Sequence, residues 1–233
     1  MPKDGDTHYL GRNETSIPES LREVPDLKLR IWNMGFKRFE ELARFPNLAE
    51  LTIMDFVGPS FAPLAELRAL RLLSITHFPK VHSLAPLAGL ASLQELTLQT
   101  LPSWDASRKH QVVESFQPLS GLTKLKKLVL SGVRAEDGDL SPLHGLVGLE
   151  QLAIGNIFSQ VQFARLAAKV SLADPGFLAP FLRLDGYACR KCGTDKVMLS
   201  GADVPNPKIV CPTCHKRKVD ETVARFEQLR LSA

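Results

Sequence analysis

The sequence predicts an α/β chain in which a short strand-bearing unit recurs along a parallel sheet, followed by a small metal-bound module and a terminal helix. Three observations carry this expectation. Residues 84–98, LAPLAGLASLQELTL, place leucines at Leu84, Leu87, Leu90, Leu93 and Leu96, then shorten the step to two at Leu98. A three-residue step keeps side chains on one side of a tight helical or turn-like segment, and a two-residue step keeps them on one face of a strand. The segment therefore reads as a turn feeding a strand. The same pattern recurs at 39–53, 61–75, 116–130 and 140–154, with a weaker copy at 21–29. Finally, all four cysteines fall within residues 189–214, as two C-x-x-C pairs.

Start-to-start spacings of the strong copies are 22, 23, 32 and 24 residues. A period of about 20–29 with L-x-x-L-x-L marks a leucine-rich repeat. The short repeats and the L-x-P-L-x-G-L opening resemble the internalin-like class over roughly residues 21–157. That resemblance implies a solenoid with its parallel sheet on the concave face. Prolines at Pro63, Pro86, Pro118 and Pro142, all in one slot, argue against the alternative of serial amphipathic helices. Strands are expected near 50–54, 72–76, 95–99, 127–131 and 151–155, each burying two side chains. No single repeat can bury its own face, so the copies must share one core. Each buried Leu or Ile contributes about 1.5–3 kcal/mol before entropy is subtracted.

One slot departs from the family. Three residues past the last strand leucine the family carries Asn or Cys; here stand Phe56, Phe78, Leu101, Val133 and Ile157. An apolar stack replaces the amide ladder, so backbone groups at that bend must find other backbone or water. Twelve Phe against two Tyr point to aromatics used for core.

The chain divides into four regions: 1–20 as a flexible lead or N-terminal cap, 21–157 as the repeats, 158–185 as the C-terminal cap, and 186–233 as the metal module with its helix. Leu27, Leu29 and Ile31 alternate with Lys28 and Arg30 as a first strand, and Trp32 after them reads as packing that closes that end, or as a binding residue. Phe177, Leu178, Phe181, Leu182 and Leu184 supply the second cap. Val219, Val223, Phe226 and Leu229 or Leu231 mark one face of a terminal helix that docks on the module or on the last repeat.

Net charge is +4, too small to indicate nucleic acid by itself. No apolar signal region opens the chain and no run reaches the roughly 18 residues a membrane helix needs, which predicts a soluble, cytoplasmic protein. Cysteine clustering fits a reducing compartment better than a disulfide scaffold.

The cysteines form C-x2-C-x18-C-x2-C: Cys189, Cys192, Cys211 and Cys214. Two such turns complete a closed tetrahedral thiolate shell, the expectation being structural zinc. A redox dithiol and an iron–sulfur cluster are the other readings, and His215 is an alternative ligand to Cys214. The module resembles a zinc ribbon, with Gly193 fitting the first knuckle and His215 departing from the second.

The third repeat carries about ten extra residues, read as a 101–115 loop holding Trp104 and Arg108. Insertions in repeat proteins leave on one face, often the binding face. Strand positions pointing to the concave face include Glu50, Thr52, Met54, Glu95, Thr97, Gln99 and Lys127, a mixed row with no basic stripe. With Trp104 and Arg108 these are the candidate partner-binding residues. No catalytic motif is present, so the expected function is non-enzymatic protein binding by a chain monomeric when free. An immunity protein neutralising a toxin or effector domain is the candidate by analogy of fold. The alternative is nucleic-acid or ribosome association through Lys216, Arg217, Lys218 and the other basic residues of the ribbon.

Overall fold

The computed structural model describes residues 7–11, 13–32, 37–101 and 109–233. Seven strands make one parallel sheet: β1 (Thr7–Leu10), β2 (Leu27–Ile31), β3 (Leu48–Met54), β4 (Leu72–Thr76), β5 (Glu95–Gln99), β7 (Lys127–Ser131) and β9 (Gln151–Ile154), in that spatial order. From β3 onward the copies pair without a slip. Leu51, Leu73, Leu96, Leu128 and Leu152 share one rung; Ile53, Ile75, Leu98, Leu130 and Ile154 share another. All but Leu152, which is half-buried, lie in a single apolar core.

The three-residue leucine step has a direct backbone counterpart. In the central copy, Leu87 N–H donates to Leu84 O at 2.9 Å, Leu90 N–H to Leu87 O at 3.1 Å and Leu93 N–H to Leu90 O at 3.0 Å. Each i to i+3 bond brings the next leucine over the same core. Only the first turn is regular 3-10 helix, and the slot prolines sit in its opening positions at Ala62–Leu64, Ala85–Leu87, Gln117–Leu119 and Ser141–Gly145. A ring there removes a donor that the helix start does not use.

The apolar slot works by packing. Phe39, Phe56, Phe61 and Phe78 stack in sequence, with centroids 4.3, 5.1 and 5.5 Å apart. Backbone groups at the bend pair across repeats: Asp55 N–H to Thr76 O at 2.7 Å, Phe56 N–H to His77 O at 2.8 Å, and His77 N–H to Gln99 O at 2.8 Å. Left-handed backbone at Asp55, His77 and Gly132 turns the chain at one repeated position.

The 101–115 insertion is not loop throughout. β6 (Gln111–Val113) pairs in parallel with β8 (Val133–Ala135) in a second, two-stranded sheet, with Val113 and Gln111 buried.

Both ends are covered. At the first, β1 pairs in parallel with β2, and Leu10, Ile17 and Leu21 are buried. Buried Glu41 accepts from Ile17 N–H at 3.0 Å and pairs with Arg38. The expectation that Trp32 packs to close this end is corrected: its side chain stands 59% exposed just beyond β2, because β1 already occupies that edge. At the other end, α1 (Gln160–Ala167) buries Phe163, Ala164 and Leu166. An antiparallel sheet follows, in the order β10 (Phe181–Ala188), β11 (Asp195–Leu199) and β12 (Ile209–Val210). β10 runs through 185–186, with Gly186 at φ +76° inside a register shift. The chain ends in α2 (Lys216–Leu231). Among the described residues no helix is long and apolar enough to cross a membrane.

Candidate metal centre and binding face

Alternation along the strands sends one set of side chains inward and the other to an open face. The register places Glu50, Leu72, Glu95, Lys127 and Gln151 on one rung of that face. Thr52, Ser74, Thr97, Val129 and Ala153 lie on a second, and Met54, Thr76, Gln99 and Ser131 on a third. The structure thus brings Glu50, Thr52, Met54, Glu95, Thr97, Gln99 and Lys127 together on one surface. Trp104 and Arg108 lie outside the described residues.

Charges on this face answer one another across strands: Lys28 with Glu50 at 3.3 Å and Lys127 with Glu95 at 3.6 Å. Gln99 Nε2 donates to Thr76 Oγ1 at 2.8 Å. Arg30 differs, because among the described residues it has no carboxylate partner. Its guanidinium lies 5.7 Å from the Tyr9 ring centroid and donates to Tyr9 Oη at 3.3 Å. Tyr9 is 48% exposed, and with the exposed Trp32 it flanks the start of the face. Sequence reading missed Tyr9 because THYL is four residues long and half polar, and it set Arg30 on a strand without giving it a role on the face. At the far end Lys127, Val129, Gln151, Ala153, Ala173 and Asp174 line an open cleft of about 500 Å³.

The four cysteines arrive on two turns. Cys189 and Cys192 lie between β10 and β11, where Cys189 N–H donates to Thr194 O at 2.8 Å and Gly193 N–H to Cys189 O at 2.9 Å. Gly193 has φ +76°, a conformation open to glycine without a Cβ clash. Cys211 and Cys214 follow β12, and His215 N–H closes their turn on Cys211 O at 2.9 Å. Sulfur–sulfur distances are 3.4 Å for Cys192–Cys211, 3.7 Å for Cys192–Cys214 and 3.9 Å for Cys189–Cys214, with all four within 4.8 Å. A disulfide needs about 2.05 Å. A tetrahedron with zinc–sulfur bonds of about 2.3 Å has edges of about 3.8 Å, so the donor set fits that ion. Among the described residues the cluster contains no histidine; His215 stands at the N-cap position of α2 without a side-chain capping bond. The second pair does sit between a strand and a helix, as a redox dithiol would. What sets it apart is that its sulfurs meet those of the other turn.

Thiol acidity follows from this crowding. The Thr194 hydroxyl and then its backbone N–H hold Cys192 down to about 6. Backbone N–H groups of Lys191 and Cys192 lower Cys189. Cys214 is pushed up to about 12, first by its hydrogen bond to Cys192 and then by desolvation. Four thiolates this close repel one another unless a cation sits among them.

The basic residues of the module are largely answered internally. Lys216 pairs with Asp220, and Arg217 with Glu221 at 3.6 Å. Lys218 donates to Pro205 O and Pro207 O, both at 2.7 Å.

No family model matches the sequence, and no curated protein does. Among solved structures, the chain is similar to an internalin C2 of Listeria monocytogenes, 25% identical over 56% of this chain and 53% of that one, with a TM-score of 0.40. A second internalin of that species is 19% identical over 66% and 49%, with a TM-score of 0.42. A leucine-rich-repeat protein of Leptospira interrogans is 22% identical over 65% and 37%, with a TM-score of 0.41. The chain spans about half the length of the two internalins. Scores this low leave the leucine-rich-repeat assignment to the leucine spacing and the rung-for-rung register of this chain itself.

Proposed function

We propose that the chain is a non-enzymatic module that grips a protein partner on the open face of its parallel sheet, with zinc at Cys189, Cys192, Cys211 and Cys214 as a structural ion. The observation that carries this reading is the face itself. Its lysines and glutamates are paired in place, its middle rung from Thr52 to Ala153 is short and neutral, and Arg30, earlier on that rung, stands beside exposed Tyr9 and two residues before exposed Trp32. Trp, Tyr and Arg are the residue types that anchor protein interfaces, whereas a nucleic-acid groove needs a run of unpaired cations with stacking rings. We place Glu50, Thr52, Met54, Glu95, Thr97, Gln99 and Lys127 in the contact, and Trp104 and Arg108 beside it. A cytoplasmic toxin or effector domain suits such a rigid surface, which would make the chain an immunity protein. Zinc, when bound, supplies cross-linking of the two cysteine turns and no reactive position, since four sulfurs complete the shell.

Affinity capture from the source cells tests this, using wild type, Arg30→Glu, Trp32→Ala, Glu95→Lys and Trp104→Ala. Capture of one protein by wild type and its loss in the face variants is expected. Capture unaffected by all four variants contradicts the proposed surface. Nucleic-acid association is the reading the structure favours less, given the pairing of Lys216, Arg217 and Lys218. Salt-sensitive retention on RNA or DNA, lost when those three become Glu, would reinstate it.

A further inference from the structure

The metal module and the last repeat are joined by a seam of polar bonds between residues far apart in sequence. Asn156, two residues past β9, donates from Nδ2 to Leu199 O at 2.9 Å and accepts at Oδ1 from Gly201 N–H at 2.8 Å. Asp203 accepts from Gln160 N–H, the first residue of α1, at 2.6 Å and from Arg225 of α2 at 3.0 Å. Ala202 N–H reaches Phe158 O at 2.6 Å, and Ser200 N–H reaches Pro180 O at 3.0 Å. Gly201, at φ +121°, permits this approach: a Cβ there would stand 2.9 Å from both Asp203 Oδ1 and Gln160 Cβ.

α2 carries the link further. It begins two residues after Cys214, and Val219 N–H bonds back to His215 O at 3.2 Å, so the cysteine turn runs straight into its first turn. Val219 belongs to the small core of Val197, Leu199, Val204 and Val210. Phe226, two turns later, belongs to the large one, with Phe163, Leu166, Val170 and Leu178. One helix therefore has its start held by the metal ligands and its second half covering the end of the repeat core.

Neither part of this arrangement is self-sufficient. Five buried apolar residues are too few to hold a module without a staple. A helix of 16 residues is marginal alone and needs a fixed start and a packed face. The seam also keeps two buried acceptors without partners among the described residues, Gln160 Oε1 and Ser200 Oγ, so its polar bonds are bought at a cost.

We infer that the four-cysteine centre is a latch on the repeat sheet: metal at the sulfurs sets the first turn of α2, α2 seats Phe226 over the last repeat, and β9 with α1 stays ordered only while the metal is held. This rests on the structural-metal reading proposed above. It adds that the effect of the ion extends beyond the module to the end of the sheet proposed to bind a partner.

The experiment is amide hydrogen exchange, read by mass spectrometry, on the full chain loaded with zinc to a measured one ion per chain, before and after chelation. Chelation should raise exchange at least tenfold in residues 151–167 as well as in 186–231. Residues 48–76 should be unchanged, and added zinc should restore protection. A rise confined to 186–231 overturns the inference and leaves the metal reading intact. A chain that takes up no stoichiometric zinc overturns both, and elemental analysis shows this before any exchange is measured. Phe226→Ala, with all four cysteines present, should bind zinc at one ion per chain yet exchange fast at 151–167. Retained protection there in that variant overturns the latch.

Discussion

Phe56 shows how one side chain can stand in for a hydrogen-bonding ladder. It is fully buried between Phe39 and Phe61 at the bend after β3, and its own N–H bonds His77 O of the next repeat. Removing the ring leaves a cavity without freeing any backbone group. Phe56→Ala should therefore cost about 3–5 kcal/mol in denaturant unfolding, whereas Phe56→Leu should cost clearly less. Glu41 is the polar counterpart. Buried at 5% exposure, its carboxylate is held by Ile17 N–H and Arg38. Glu41→Ala should leave that N–H unpaired and lower stability by about 1–3 kcal/mol, measured the same way.

At the scale of elements, leucine spacing reveals much and sequence distance hides the rest. The five strong copies could be aligned by eye because each must present leucines at a step of three and then two to reach one shared core. The strands fall where that step changes. β1 left no such trace, since a four-residue edge strand buries one side chain deeply, Leu10. β6 was absorbed into an insertion because its pairing partner, β8, is twenty residues away and also three residues long. The cysteine set was legible from spacing alone. The seam was not: Asn156 and Leu199, or Gln160 and Asp203, are 43 residues apart and obey no local rule. Gly201 is the one seam residue whose type is dictated, by its φ and by the crowding around it. Gly201→Ala should lower the midpoint of thermal unfolding while the zinc content stays at one ion per chain. An unchanged midpoint would mean that the two cores are not tightly joined.

At the scale of the whole molecule, a neutral and self-paired sheet face is fitted to complementarity of shape more than to long-range attraction. Partner binding should therefore depend weakly on salt, falling less than tenfold between 50 and 500 mM, in contrast to the steep loss that phosphate contacts impose. Arg30 is the exception on that face, so Arg30→Glu should weaken binding more than reversal of Glu95, whose loss Lys127 partly shares. The most direct measurement of whether this face is the gripping surface is site-specific photocrosslinking in the source cells. A benzoylphenylalanine is placed either at Thr97, in the centre of the face, or at Lys124, on the outer turn of the next repeat. Adducts to a single protein from position 97 and none from position 124 are the predicted result; adducts from 124 alone would contradict it.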